Sequence, residues 1–302
     1  MNKTLLSYIL TIGIAAVAGA GTGVVLKRTI GPIDEMYPPG FDPKNYSPDI
    51  TSIMNKYNQL SDQSINGLRS FSDSDVVNIV LEKYKNLEYC YSLGIGNAYT
   101  IITQTIRNAQ IKNGDQYFEE QISYSNIVNV ANRSIQNGKG GNIDLYKGSA
   151  SAPEKASYPS SPSSSYSPSK YKNYLGKTLD EMFIYIISDK TTIDSSRVVK
   201  GDDVVINLNL NPNLSTFYYK TQMQNISGLS NLPPFDEVKL TYTFSKDLDL
   251  KHLTVDETYT ATKEGVPVPA ETHNIIENYY YPNVQMPIPN SNESIDYRIQ
   301  EA

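Results

Sequence analysis

Between Thr4 and Leu26 the chain runs TLLSYILTIGIAAVAGAGTGVVL without one charged residue. At the rise of an α-helix this run can cross a hydrocarbon core of about 30 Å. It therefore predicts a transmembrane helix over 4–26 and places everything after it on one side of a membrane. A cleaved signal peptide competes with that reading. Lys3 supplies a basic start, Leu5 to Val17 an apolar stretch, and Ala16-Val17-Ala18 or Ala18-Gly19-Ala20 a small-residue cleavage site. The apolar run continues through Val24, Val25 and Leu26 to Lys27 and Arg28, which favours an uncleaved signal-anchor. No cysteine follows the run closely, so a lipid-modified anchor is excluded.

Lys3 on one side and Lys27 with Arg28 on the other leave the positive-inside count nearly balanced. A long polar domain translocates largely regardless of such charges. The expected arrangement is a cytoplasmic tail of residues 1–3 and an extracytoplasmic bulk. Ala15, Gly19 and Gly23 fall at i, i+4 and i+8, a small-residue flank through which two anchors could self-associate.

The remainder suffices for one domain of ordinary size or two small subdomains. A net charge of −6 and a pI near 5.1 argue against nucleic acid or an anionic lipid surface as partner. The single cysteine, Cys90, lies between Tyr89 and Tyr91 without a basic neighbour closer than Lys85, and reads as a buried structural thiol.

Residues 27–50 carry Pro32, Pro38, Pro39, Pro43 and Pro48 and read as a semi-extended spacer. Residues 51–148 form the first half of the expected domain. Ile53, Met54, Tyr57 and Leu60 recur at helical spacing; Ser72 can cap a second helix whose apolar face is Val76, Val77, Val80, Leu81 and Tyr84. Between these helices, Asp62, Ser64, Asn66, Gly67 and Asp73 resemble an EF-hand calcium loop over 62–73. Arg69 at an aliphatic position and Asp73 in place of Glu favour a plain polar turn. Strands follow. Tyr99 to Ile111 and Gln116 to Tyr124 flank Asn113-Gly114-Asp115, a hairpin signal, and Ile127 to Ile135 and Ile143 to Tyr146 continue the sheet.

Residues 149–173, rich in Ser and Pro, read as a disordered loop. Residues 174–281 return to strand patterning. Met182 to Ile187 reads as a covered strand, and Val204, Ile206, Leu208 and Leu210 as one buried face. A helix capped by Ser215 and stopped by Gly228 follows. Val238, Leu240, Tyr242 and Phe244 open a meander continued by Leu253 to Thr262 and Thr272 to Tyr281, with Leu253, Val255 and Tyr259 on one face. The tail 282–302 reads as flexible. The expected fold class is α+β: one membrane helix, then a mainly antiparallel, curved β-sheet with two or three helices.

The element order over residues 70–281 resembles LolA-like lipoprotein carriers, in which a curved, incomplete barrel under a helical lid holds an apolar ligand. Tyr117-Phe118-Glu119-Glu120 and Pro234-Phe235 also resemble runs of anchored envelope proteins from AT-rich Gram-positive bacteria, which implies no activity. The carrier resemblance implies binding of a lipid or other apolar envelope molecule. The alternative is a non-catalytic assembly factor of an envelope complex.

No catalytic, cofactor or metal residues stand out. His252 and His273 have no partner at ligand spacing. Glu119 and Glu120 alternate across a strand, so their carboxylates face opposite ways. The cluster Gly138-Lys139-Gly140-Gly141 lacks phosphate-loop spacing. An enzyme is not expected. A volume lined by Leu240, Tyr242 and Phe244 would support ligand binding; a face filled by its own side chains would support scaffolding.

Overall fold

The computed structural model describes residues 37, 40–99, 103–126, 129–181, 185–227, 235–263, 266–290 and 293–299. The anchor expected at 4–26, with its small-residue flank, lies outside them. Among the described residues no helix is long and apolar enough to cross a membrane.

Twelve strands form one antiparallel curved sheet. In chain order they are β1 (Tyr89–Tyr99), β2 (Thr103–Asn113), β3 (Gln116–Tyr124), β4 (Asn129–Asn137), β5 (Ile143–Ala152), β6 (Lys155–Ser157), β7 (Ser164–Tyr166), β8 (Thr192–Lys200), β9 (Asp203–Leu210), β10 (Phe235–Ser245), β11 (Leu250–Lys263) and β12 (Val266–Pro282). Their spatial order is β6-β5-β4-β3-β2-β1-β12-β11-β10-β9-β8, with β7 on β5. The sheet is thus two meanders, β1–β5 and β8–β12, zipped together where β1 pairs with β12.

Helices α1 (Ile50–Asn58) and α2 (Asp73–Lys85) cover the second meander. Asp49 caps α1 by accepting from Ser52 N at 3.0 Å, and Ser72 caps α2 by accepting from Asp75 N at 3.2 Å. Their apolar faces, including Ile53, Tyr57, Val76, Val80 and Tyr84, pack on Val204, Ile206, Leu208, Leu240, Tyr242 and Phe244. Arg197 of β8 ties this layer together, donating to Asp73 Oδ1 and to the carbonyls of Leu68 and Phe71.

The hairpin at Asn113-Gly114-Asp115 forms one residue out of the register that an Asn-Gly turn implies. Asn113 pairs with Gln116, so the turn residues are Gly114 and Asp115. Only Gly114 has positive φ, at 65°, which makes the turn type II′.

Four expectations give way. Residues 149–173 are ordered: they carry the end of β5, then β6, β7 and α3 (Pro168–Leu175), because Tyr171 and Leu175 find a cluster with Ile143 and Leu179. The tail expected to be flexible packs on the outer face of β1–β5, with Ile295 and Tyr297 buried. The described end of the spacer is also held. The Tyr37 ring sits 4.5 Å from Phe41 and 5.0 Å from Phe217 of α4 (Phe217–Ser227), and Ser188 Oγ donates to Tyr46 O. Finally, of the strand expected over Met182 to Ile187, residues 182–184 lie outside the described residues, and Tyr185–Ile187 is buried or half-buried but is not a strand. Ile186 N bonds to Ser215 O in the turn before α4, and Ser215 therefore ends that turn instead of capping α4.

Candidate functional site

A cavity lies on the inner, concave face of the sheet where the two meanders meet. The register explains its chemistry. Side chains at one level across the sheet run Ile206, Tyr242, Leu253, Asn278, Gly94, Asn108, Gln121 and Asn132, from β9 to β4. The row changes from apolar to amide at β12. Gly94 makes room in the middle: a Cβ there would collide with both the Asn108 and Asn278 Oδ1 atoms, which converge over it.

The floor of the cavity is built from Ser92, Asn108, Gln110, Gln121, Glu257 and Asn274. Its roof is the segment after α3 together with α4. Lys177 forms an ion pair with Glu119, and Gln110 Nε2 donates to Leu179 O. Tyr185, Tyr219 and Tyr280 supply aromatic surface. The space in which the centre of a water molecule can sit is about 120 Å³, room for several waters or one small ligand.

Three of the lining residues each hold a buried side-chain oxygen without a hydrogen-bond partner: Gln121 Oε1, Gln222 Oε1 and Asn274 Oδ1. All are acceptors. A buried carbonyl of this kind is costly unless water or a ligand donates to it. Glu257, 1% exposed, accepts from Asn274 Nδ2 at 3.2 Å. Burial pushes its carboxyl up to about 8, against the hydrogen bond from Asn274.

The outer face of the first meander holds a second buried polar group. Arg133 and Glu120 pair at 2.6 Å, each side chain 1% exposed. Tyr158 and Tyr297 donate to the two Glu120 oxygens at 2.8 and 2.9 Å, and Arg133 donates to the carbonyls of Asn290 and Glu293. This network is fully partnered and clamps the tail. Glu119 and Glu120 do face opposite ways, one into the cavity and one under the tail.

The other sequence candidates do not assemble. Leu240, Tyr242 and Phe244 are completely buried under the helices and are not among the residues that line this cavity. His273 accompanies Asp256 at 2.6 Å on the outer face, and His252 packs against Tyr279 with the ring planes tilted by 47°. Cys90 is a buried free thiol whose pKa is raised by burial. In the calcium-like loop, Asp62 Oδ1 accepts from Ser64 N within a turn, and Asp73 is bound by Arg197, so the loop's last ligand position is taken. Among the described residues no group of His, Cys, Asp or Glu could hold a metal ion.

What sequence reading missed is Glu257. The stripe Leu253, Val255, Tyr259 has a gap at 257, and the gap is the acid that enters the cavity. No protein-family model matches the chain, and no curated protein matches it.

Proposed function

We propose that the chain is a membrane-tethered, extracytoplasmic binding module whose ligand is a small polar molecule rich in hydrogen-bond donors. The carrying observation is the set of unpartnered acceptors, Gln121 Oε1, Gln222 Oε1 and Asn274 Oδ1, around one cavity. Such groups destabilise an empty fold and are useful to one that binds. The lipid expected from the carrier resemblance fits the site less well. The aliphatic face that would have held it is filled by α1 and α2, and the free space borders amides. The reading is non-catalytic.

The test is native mass spectrometry and thermal shift on the full-length protein in detergent, with panels of sugars, amines, amino acids and lipids. A saturable polar ligand lost in Gln121→Leu supports the reading. A stoichiometric lipid, with no polar ligand bound, overturns it.

The alternative, an assembly factor, draws on β8. Among the described residues this strand pairs with β9 alone, and it exposes Ile193, Val198 and Val199. Proline at Val198 would then abolish complex formation in cells and leave ligand binding intact.

A further inference from the structure

The buried side-chain atoms of the lining residues that lack a partner are all carbonyl oxygens, although the Tyr259 hydroxyl, next along β11 from Glu257 on the same face, lacks one too. Two carboxyl groups border the space. Glu119 is neutralised by Lys177. Among the described residues no cation stands against Glu257: Asn274 faces it from β12, and Tyr219 and Gln222 reach the cavity from α4. Tyr259 is its neighbour on β11, and Tyr185 and Tyr280 complete the aromatic walls. One carboxyl with no counter-charge therefore sits beside amide carbonyls, and a cationic donor would pair with its ionised form. Tyrosine faces are also good surfaces for the C–H bonds and positive charge of a small ligand.

We infer that the cavity takes a small primary amine that also carries hydroxyl groups, its ammonium paired with Glu257 and its hydroxyls donating to the amide carbonyls. The inference rests on the binding reading above and narrows it. It has a consequence for protons. Burial keeps the Glu257 carboxyl neutral in the empty site up to about pH 8. A cation pairs with the carboxylate, so the Glu257 O–H bond breaks on binding, its proton passes to solvent, and the ammonium keeps all of its own. Below that pH, affinity rises about tenfold per pH unit.

The experiment is isothermal titration calorimetry of the full-length protein in detergent at about pH 6, where the amine of the probe is fully protonated, in buffers of different ionisation heat. Glucosamine is the probe, and glucose and N-acetylglucosamine are the uncharged controls. The expected result is binding of glucosamine alone, with release of close to one proton. Glu257→Gln weakens it by about 10- to 100-fold and abolishes the release. If that variant fails to fold, proton release by the native protein still decides. No binding of glucosamine, binding without proton release, or binding unchanged in Glu257→Gln overturns the inference. Equal binding of the uncharged sugars also overturns it and leaves the polar-ligand reading standing. A lipid bound in place of all three removes both.

Discussion

The two meanders solve the same burial problem with opposite faces. In β9–β11 the concave face is, apart from Glu257, aliphatic and aromatic, buried under α1 and α2, while its outer face carries residues such as Lys239, Thr241 and Asn207. In β1–β5 the outer face holds the apolar residues, Leu93, Ile111, Phe118 and Ile122, covered by the tail. The concave face there holds Asn108, Gln121, Asn132 and Ser134. A sheet needs one dry face for stability, and either will serve. Inverting the choice half-way across the sheet leaves a line of buried amides at the junction, and the cavity is there.

The buried Arg133–Glu120 pair is the sharpest point of difference, because among the described residues the second meander has no ion pair so deeply buried. Arg133→Met should cost about 3–5 kcal/mol in urea unfolding, since it strands a buried carboxylate and frees the tail carbonyls. Adding Glu120→Leu should recover most of that loss. Failure of the double variant to recover would mean that the outer face needs the charge pair as such, and the symmetry between the two apolar faces would break down.

A pH titration probes the junction. In the folded protein Glu257 keeps its proton up to about 8, whereas the unfolded chain releases it near the ordinary 4.5. Between those values the folded state binds more protons, so this group makes stability fall as pH rises from about 4.5 to 8. Glu257→Gln removes that slope. Denaturant midpoints of the two proteins should converge at low pH and separate, with the variant higher, toward pH 8.

Gln121→Leu extends the apolar face across the junction. Replacing a buried side chain whose carbonyl lacks a partner should raise stability by about 1 kcal/mol while abolishing ligand uptake. A loss of stability instead would show that the amide row is structural.

The alternation of Val238 to Phe244, the capped helix at 72–85 and the hairpin near Gly114 were all legible, because each depends on neighbours within a few residues. The inversion was not. Strand β3 is buried on both faces around Glu120, Gln121, Ile122 and Ser123, so a period of two cannot say which face is inside. The amides looked like the wet side of an ordinary strand. The tail and the Ser/Pro segment were misjudged for a related reason. Few apolar residues, Ile295, Tyr297, Tyr171 and Leu175, hold them in place, and their partners lie more than a hundred residues away for the tail and about 30 for α3.

The helices over the two halves allow the smallest test. Both α2 and α3 follow a serine in extended conformation, Ser72 and Ser167, of which the sequence marks Ser72 alone as a cap. Ser72 Oγ accepts from Asp75 N, but Ser167 makes no side-chain cap bond. The start of α3 is set by Pro168, its end by Gly176 at φ 74°, and its position by Tyr171, which donates to Ser134 Oγ at 3.1 Å. Ser72→Ala should therefore lower stability by about 1 kcal/mol, and Ser167→Ala should leave it unchanged within error. Equal losses in urea unfolding would mean that the roof over the cavity depends on its own helix start. Unequal losses in the stated order would mean that tertiary contacts hold the roof, with Tyr171→Phe the change that loosens it.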